Sequence, residues 1–198
     1  MQNEDYWVAV MKVADLYNIA AAKEDATRGL ANRVRYLGGC PIQAIELGRR
    51  FNIKEWFEHG FRELVTRNLL TYTVPDTERL GLRCMMGIAK TQCALQDFRK
   101  LLAFVPPPLH HSRICLDHRR CSDAYDDQWW KYVGKQLFDP ANVTATPCSD
   151  VPSILAHTNF VGMTMECWVK TRDAMDESPF HKEEKIIDDC IARLLIQS

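Results

Sequence analysis

Apolar residues recur along this chain at the spacing of helices. Trp7, Val10, Met11, Ala14 and Tyr17 fall at i, i+3, i+4, i+7 and i+10, the apolar stripe of an amphipathic helix. A second stripe, from about Lys23, carries Ala26, Leu30, Val34 and Leu37 before Gly38-Gly39 stops it. Pro41 suits the first turn of a third helix, where its missing N–H would have no partner, and that helix runs through Ile45 to Arg50. Trp56, Phe57, Phe61, Leu64 and Val65 mark a fourth.

These four helices read as two copies of one hairpin. A shift of 34 residues places Val13 on Leu47, Tyr17 on Phe51, Asn18 on Asn52, Ile19 on Ile53, Ala26 on Gly60 and Leu30 on Leu64. A period of this length is the mark of stacked helical hairpins. It predicts that Ile19 and Ile53 are buried at equivalent turns.

A short helix near Pro75–Leu80 and a longer one from Leu82 to about Leu102 follow, and Val105-Pro106-Pro107-Pro108 ends the latter. Tyr125, Trp129, Tyr132, Val133, Gln136 and Leu137 predict a helix that stops before Asp139-Pro140. Adjacent Trp129 and Trp130 cannot face one way, which leaves one for an interface. Residues 142–147 read as a polar loop. Asp150 with Pro152 opens a helix, and Phe160 to about Met175 reads as another. Ser178 as N-cap, Pro179 at N1 and Glu183-Glu184 near the positive end of the dipole sign the last helix. No alternating stretch makes a strand. The expected fold is all-α: stacked antiparallel hairpins over residues 1–104, then a smaller helical subdomain over 105–198, together one compact unit.

Composition narrows the classes. The chain has 198 residues, 46% of them hydrophobic and 26% charged, with a formal net charge of −1. Wholesale disorder is excluded, and so is whole-molecule attraction to nucleic acid or an anionic membrane. The acidic start, Met1-Gln2-Asn3-Glu4-Asp5, lacks the basic and apolar regions of a signal peptide. No apolar run approaches the roughly 20 residues that span a bilayer. The expected location is intracellular, cytoplasmic or nuclear, where the eight cysteines are reduced thiols or metal ligands. The Asn142-Val143-Thr144 sequon is then a chance match.

The order of motifs resembles a known family. Lys12-Val13-Ala14-Asp15-Leu16-Tyr17, the stretch Ile45–Trp56 and Glu78-Arg79-Leu80-Gly81-Leu82 resemble the helical region that follows the BTB/POZ core in fungal, basidiomycete-type BTB-containing proteins. Cys115-x-x-His118-x-x-Cys121, Trp129-Trp130, Val133–Leu137 and Glu183–Ile187 are also similar. No segment of the chain fits a BTB core itself. The resemblance implies helical packing and protein binding, and no enzymatic activity.

One cluster has ligand chemistry. Cys115, His118 and Cys121 stand at i, i+3 and i+6, and thiolate and imidazole are the donors zinc prefers, four to a structural site. In a straight helix Cys115 and Cys121 would be roughly 9 Å apart along the axis, so the segment must bend to share one ion. Cys167 is the first choice of fourth ligand, with Cys148, His157, His110 and His111 as alternatives. The expected zinc is structural and clasps the second half of the chain. The competing reading keeps Cys115 and Cys121 as buried apolar residues.

Other chemistry is poorly represented. A Cys115–His118 nucleophile pair has no orienting third group or oxyanion hole in view. Walker, dinucleotide-glycine and HExxH motifs are absent from the sequence. His110, His111, Arg113, Arg119 and Arg120 are locally basic, but Asp117, Asp123, Asp126 and Asp127 offset them. The sequence therefore points to a non-enzymatic protein-interaction or scaffold module with a structural zinc and a protein partner. The alternative is a nucleic-acid-binding zinc protein in transcriptional regulation.

Overall fold

The computed structural model describes residues 4–36, 40–138, 147–175 and 178–196. Its helices are α1 (Glu4–Leu16), α2 (Ala20–Tyr36), α3 (Pro41–Phe51), α4 (Lys54–Val65), α5 (Val74–Phe104), α6 (His118–Trp129), α7 (Lys135–Phe138), α8 (Val151–Ala156), α9 (Met165–Asp173) and α10 (Lys182–Ile196). A π-helical segment, Trp130–Gly134, joins α6 to α7, and short 3-10 turns fill Leu69–Thr71, Cys148–Asp150 and Ser178–His181. The fold is all-α, with no strand among the described residues. No helix among them is long and apolar enough to cross a membrane.

The chain divides into two compact units, residues 1–89 with 190–198, and residues 90–189. The triple proline does end α5, but it does not divide the units. Beyond Lys90, α5 contributes Phe98, Leu102 and Ala103 to the core of the second unit.

In the first unit α1 packs on α2 and α3 on α4. Met11, Ala26 and Leu30 of the first hairpin meet Leu47, Phe51 and Trp56 of the second in one buried cluster. α3 and α4 lie so close that a Cβ on Gly60 would stand 2.5 Å from the Pro41 carbonyl oxygen.

The repeat is written in the backbone of its turns. Asn18 (φ 52°) and Asn52 (φ 54°) both adopt the left-handed conformation. The next amide reaches back five residues in each case, Ile19 N–H to the Ala14 carbonyl and Ile53 N–H to the Gly48 carbonyl, both at 2.8 Å. This is the Schellman ending, in which a left-handed residue satisfies the last orphan carbonyls of a helix. Asparagine is the non-glycine residue that enters this region at least cost. Asn52→Ala should therefore destabilise the protein by about 1–2 kcal/mol, and Asn52→Gly should be close to neutral. Paired urea unfolding curves measure the difference.

Side-chain burial departs from the expected symmetry. Ile19 is 46% exposed, so the prediction of two equally buried isoleucines fails; Ile53 is half-buried against the cluster. Tyr17 is 69% exposed where its counterpart Phe51 is 3% exposed. The cause is one-sided stacking: the first hairpin covers this face of the second, while the same face of the first stays exposed.

Other elements follow local signals. Gly81 (φ 74°) breaks the helical conformation inside α5, the division expected between Leu80 and Leu82. The helix expected from Phe160 begins only at Met165, after Gly162 turns with φ 94°. Ser178 opens a 3-10 turn rather than capping α10, which starts at Lys182. The loop assigned to 142–147 lies, but for Pro147, outside the described residues.

The second unit has an aromatic core. Tyr125, Trp129, Phe160, Trp168 and Phe180 are buried together, with Phe160 stacked on Trp168 at 4.0 Å. The Trp129 indole N–H donates to the Leu102 carbonyl at the end of α5, and the Tyr125 hydroxyl donates to the Pro107 carbonyl. The two tryptophans do diverge: Trp129 is buried, while half-buried Trp130 stacks on exposed Phe104.

Candidate metal centre

Three segments of the second unit meet beside this aromatic core. The stretch between the prolines and α6 brings His111, Ser112 and Cys115. Asp117 then caps α6, its side chain accepting from the Arg120 amide at 2.9 Å, which sets Cys121 in the first helical turn. Thr164 precedes α9 and sets Cys167 in the first turn of that helix. Both thiols thus lie near the positive ends of helix dipoles, which favours thiolate. The bend that a shared ion requires falls between Cys115 and the capped start of α6.

α9 also fixes the incoming loop. The Thr171 hydroxyl accepts from the His110 amide at 2.9 Å, and the Lys170 ammonium donates to the His111 carbonyl at 3.0 Å. One helical turn earlier, Cys167 faces Ser112, whose amide donates to its sulfur at 3.1 Å.

One ligand atom each from His111, Cys115, Cys121 and Cys167 lies within 4.8 Å of all the others, and the three thiols are buried. This group is positioned to bind a metal ion. The Cys115 sulfur and His111 Nδ1 are 3.6 Å apart. Bonds of about 2.3 Å to sulfur and 2.0–2.1 Å to nitrogen place neighbouring donors on a tetrahedral zinc about 3.6–3.8 Å apart. That one distance matches a tetrahedral site, and the group as a whole, within 4.8 Å, is compatible with zinc.

Of the residues chosen from sequence, Cys115, Cys121 and Cys167 converge and His118 does not join them. His118 is the first residue of α6 and exposed, its ring lying flat on that of His111 with centroids 4.2 Å apart. The nitrogen among the sulfurs belongs to His111, four residues before Cys115. Compact spacing favoured His118, but the cap at Asp117 sends it outward along the helix. Cys148 packs elsewhere, its thiol pushed up to about 12 by burial and then by the Glu183 carboxylate.

The electrostatics around the four groups are mixed. Burial holds the Cys121 thiol up to about 11. Burial also opposes Cys167 ionisation, but the Ser112 hydroxyl and amide, together with the Cys115 and Cys121 thiols, outweigh it, and the thiol lies below its ordinary value. Partial desolvation, and then the neighbouring His118, lower the His111 pKa, a shift toward the neutral ring that binds metal. The other His111 nitrogen, Nε2, is 3.5 Å from the Ser122 hydroxyl, the kind of outer contact that orients a ligating imidazole.

A pH dependence follows. At neutral pH Cys121 carries its proton, so metal uptake must expel it, and affinity should strengthen as pH rises and weaken as pH falls. Calorimetric titration of metal-free protein in buffers of different ionisation heat should detect net proton release. Uptake without proton release would contradict the ligand role of Cys121.

Comparisons of this chain with protein-family models, with curated proteins and with solved structures find no match.

Proposed function

We propose that this chain is a non-enzymatic protein-interaction module whose second unit is held together by one structural zinc on His111, Cys115, Cys121 and Cys167. The convergence of three buried sulfurs and one imidazole within 4.8 Å supports this reading most strongly. Zinc fits better than calcium or magnesium because no carboxylate contributes and thiolates are soft donors. Four protein ligands fill the tetrahedron and leave no position for an activated water, so the ion would stabilise rather than catalyse. Binding energy at such a site is folding energy.

The motif likeness to the helices after a BTB/POZ core agrees with a binding role. The rival reading, a nucleic-acid-binding zinc protein, draws on exposed Arg113, Arg119 and Arg120. Exposed Asp117, Asp123, Asp126 and Asp127 stand among them and cancel the field. Elemental analysis of the purified chain tests the metal reading, with one zinc per chain expected. Stoichiometric absence of metal after purification without chelators would overturn it.

A further inference from the structure

We propose that the metal centre is also a redox switch: hydrogen peroxide joins Cys115 to Cys167 in a disulfide, expels the zinc and releases the clasp on the second unit. This rests on the structural zinc proposed above and adds its regulation.

The donor set makes the centre sensitive to oxidation. Three of its four donors are sulfurs that lie within 4.8 Å of one another. A disulfide removes two of them and leaves His111 and Cys121, half of the four ligands a structural zinc requires. Oxidation of one pair is therefore enough to release the ion, and the binding energy that held the unit together goes with it.

Position within the fold selects the pair. A disulfide brings two sulfurs to about 2.05 Å, so at least one of the thiols must move. Cys121 and Cys167 are held in the first turns of α6 and α9, whereas Cys115 lies in the loop before the α6 cap, outside any helix. That loop already lies on the start of α9 at two points. The Ser112 amide donates to the Cys167 sulfur at 3.1 Å, and the Cys167 thiol meets the Ser112 hydroxyl at 3.4 Å. The Thr164 hydroxyl stands 3.9 Å from the Cys115 sulfur. The Cys167 sulfur also interacts directly with the Cys115 thiol. Cys115 is the most accessible of the three, 8% exposed against 3% for Cys121 and 0% for Cys167, so a small oxidant meets it first.

The chemistry balances with peroxide as the only oxidant. The Cys115 thiolate attacks one peroxide oxygen, and the O–O bond breaks to give a sulfenic acid and hydroxide. The Cys167 thiolate then attacks the sulfenic sulfur, the S–S bond forms and a second hydroxide leaves. Each hydroxide takes up a proton. Two thiolates and one peroxide thus become a disulfide and two waters, and the zinc ion departs. A resolving thiol this close captures the sulfenic acid before further peroxide drives it to the irreversible sulfinic acid. A dithiol reductant reverses the step by thiol–disulfide exchange.

The test uses the full chain carrying Cys40→Ser and Cys93→Ser, which removes the two exposed thiols. Its zinc content is measured first. Hydrogen peroxide is then added, beside a sample without it; both are desalted, zinc is measured again and disulfides are located by non-reducing peptide mapping. The expected result is one zinc lost for each Cys115–Cys167 disulfide formed, with both changes reversed by dithiothreitol and added zinc. Zinc retained under excess peroxide would overturn the inference and spare the zinc site. So would zinc lost with a disulfide at another pair, or with sulfinic acids in place of one. A chain that holds no zinc before peroxide is added would overturn both.

Discussion

Cys167→Ser should strip zinc from the chain and loosen residues around the Cys115–α6 segment, while the α3–α4 hairpin keeps its protection. The Cys167 sulfur receives the Ser112 amide and stands among the other three ligands, so its loss opens the site where three segments join. Structural zinc contributes on the order of 10–16 kcal/mol of apparent binding energy in small domains, far more than any single packing contact in this unit. Hydrogen exchange followed by mass spectrometry should show faster exchange in residues 109–122 and 163–171. Chelation of the wild-type protein should reproduce the same pattern. The two histidines separate the ligand from its neighbour. His111→Ala should abolish stoichiometric metal, whereas His118→Ala should retain it, since His118 stacks on the ligand ring from outside. Retention of metal by His111→Ala with loss by His118→Ala would reverse the assignment.

His111, and not His118, lies among the three thiols, and the residues alone reveal some features of this chain better than others. Helices were legible from apolar spacing, because burial of one face imposes the 3.6-residue period. Gly81 and Pro106 marked breaks through backbone chemistry that acts locally. The Asn18 and Asn52 turns were legible as a repeated aromatic-Asn-Ile string, and the left-handed asparagines supply its physical meaning. Three cysteines of the metal group could be chosen from their chemistry and spacing. His111 stood only among the alternatives, because its place depends on how the loop after the prolines folds onto α9 through Thr171 and Lys170, a contact some sixty residues distant in the chain. A local signal for the correct geometry did exist: Asp117 three residues before Arg120 is an N-cap arrangement, and it starts α6 at His118 rather than near Tyr125. Exposure of Ile19 was not legible for a different reason. Matching positions in a repeat share backbone structure, but their exposure depends on whether a neighbour stacks on that side.

Glu183→Ala should produce the next largest loss. Glu183 sits in the first turn of α10, buried, with its carboxylate paired to the Arg99 guanidinium and accepting the Cys148 amide at 2.9 Å. It ties α5, the Cys148 turn and α10 within the second unit. Its dipole-favoured position was visible in the sequence; its burial and long-range partners were not. Truncation leaves Arg99 without its counter-charge and the Cys148 amide without an acceptor. Removing one member of a buried pair costs about 3–5 kcal/mol. Glu183→Gln, which retains an acceptor for the amide, should lose less. Urea midpoints of the two variants, read with an unchanged m-value, give the comparison; equal midpoints for wild type and Glu183→Ala would refute the buried-pair account.

The central claim, a closed zinc site made by one imidazole and three thiolates, is tested most directly by X-ray absorption at the zinc edge on the purified full chain. The expected first shell holds three sulfurs at about 2.3 Å and one nitrogen at about 2.0–2.1 Å, with the outer-shell scattering of one imidazole. A shell containing bound water, a shell of oxygen donors, or no zinc edge at all would contradict it.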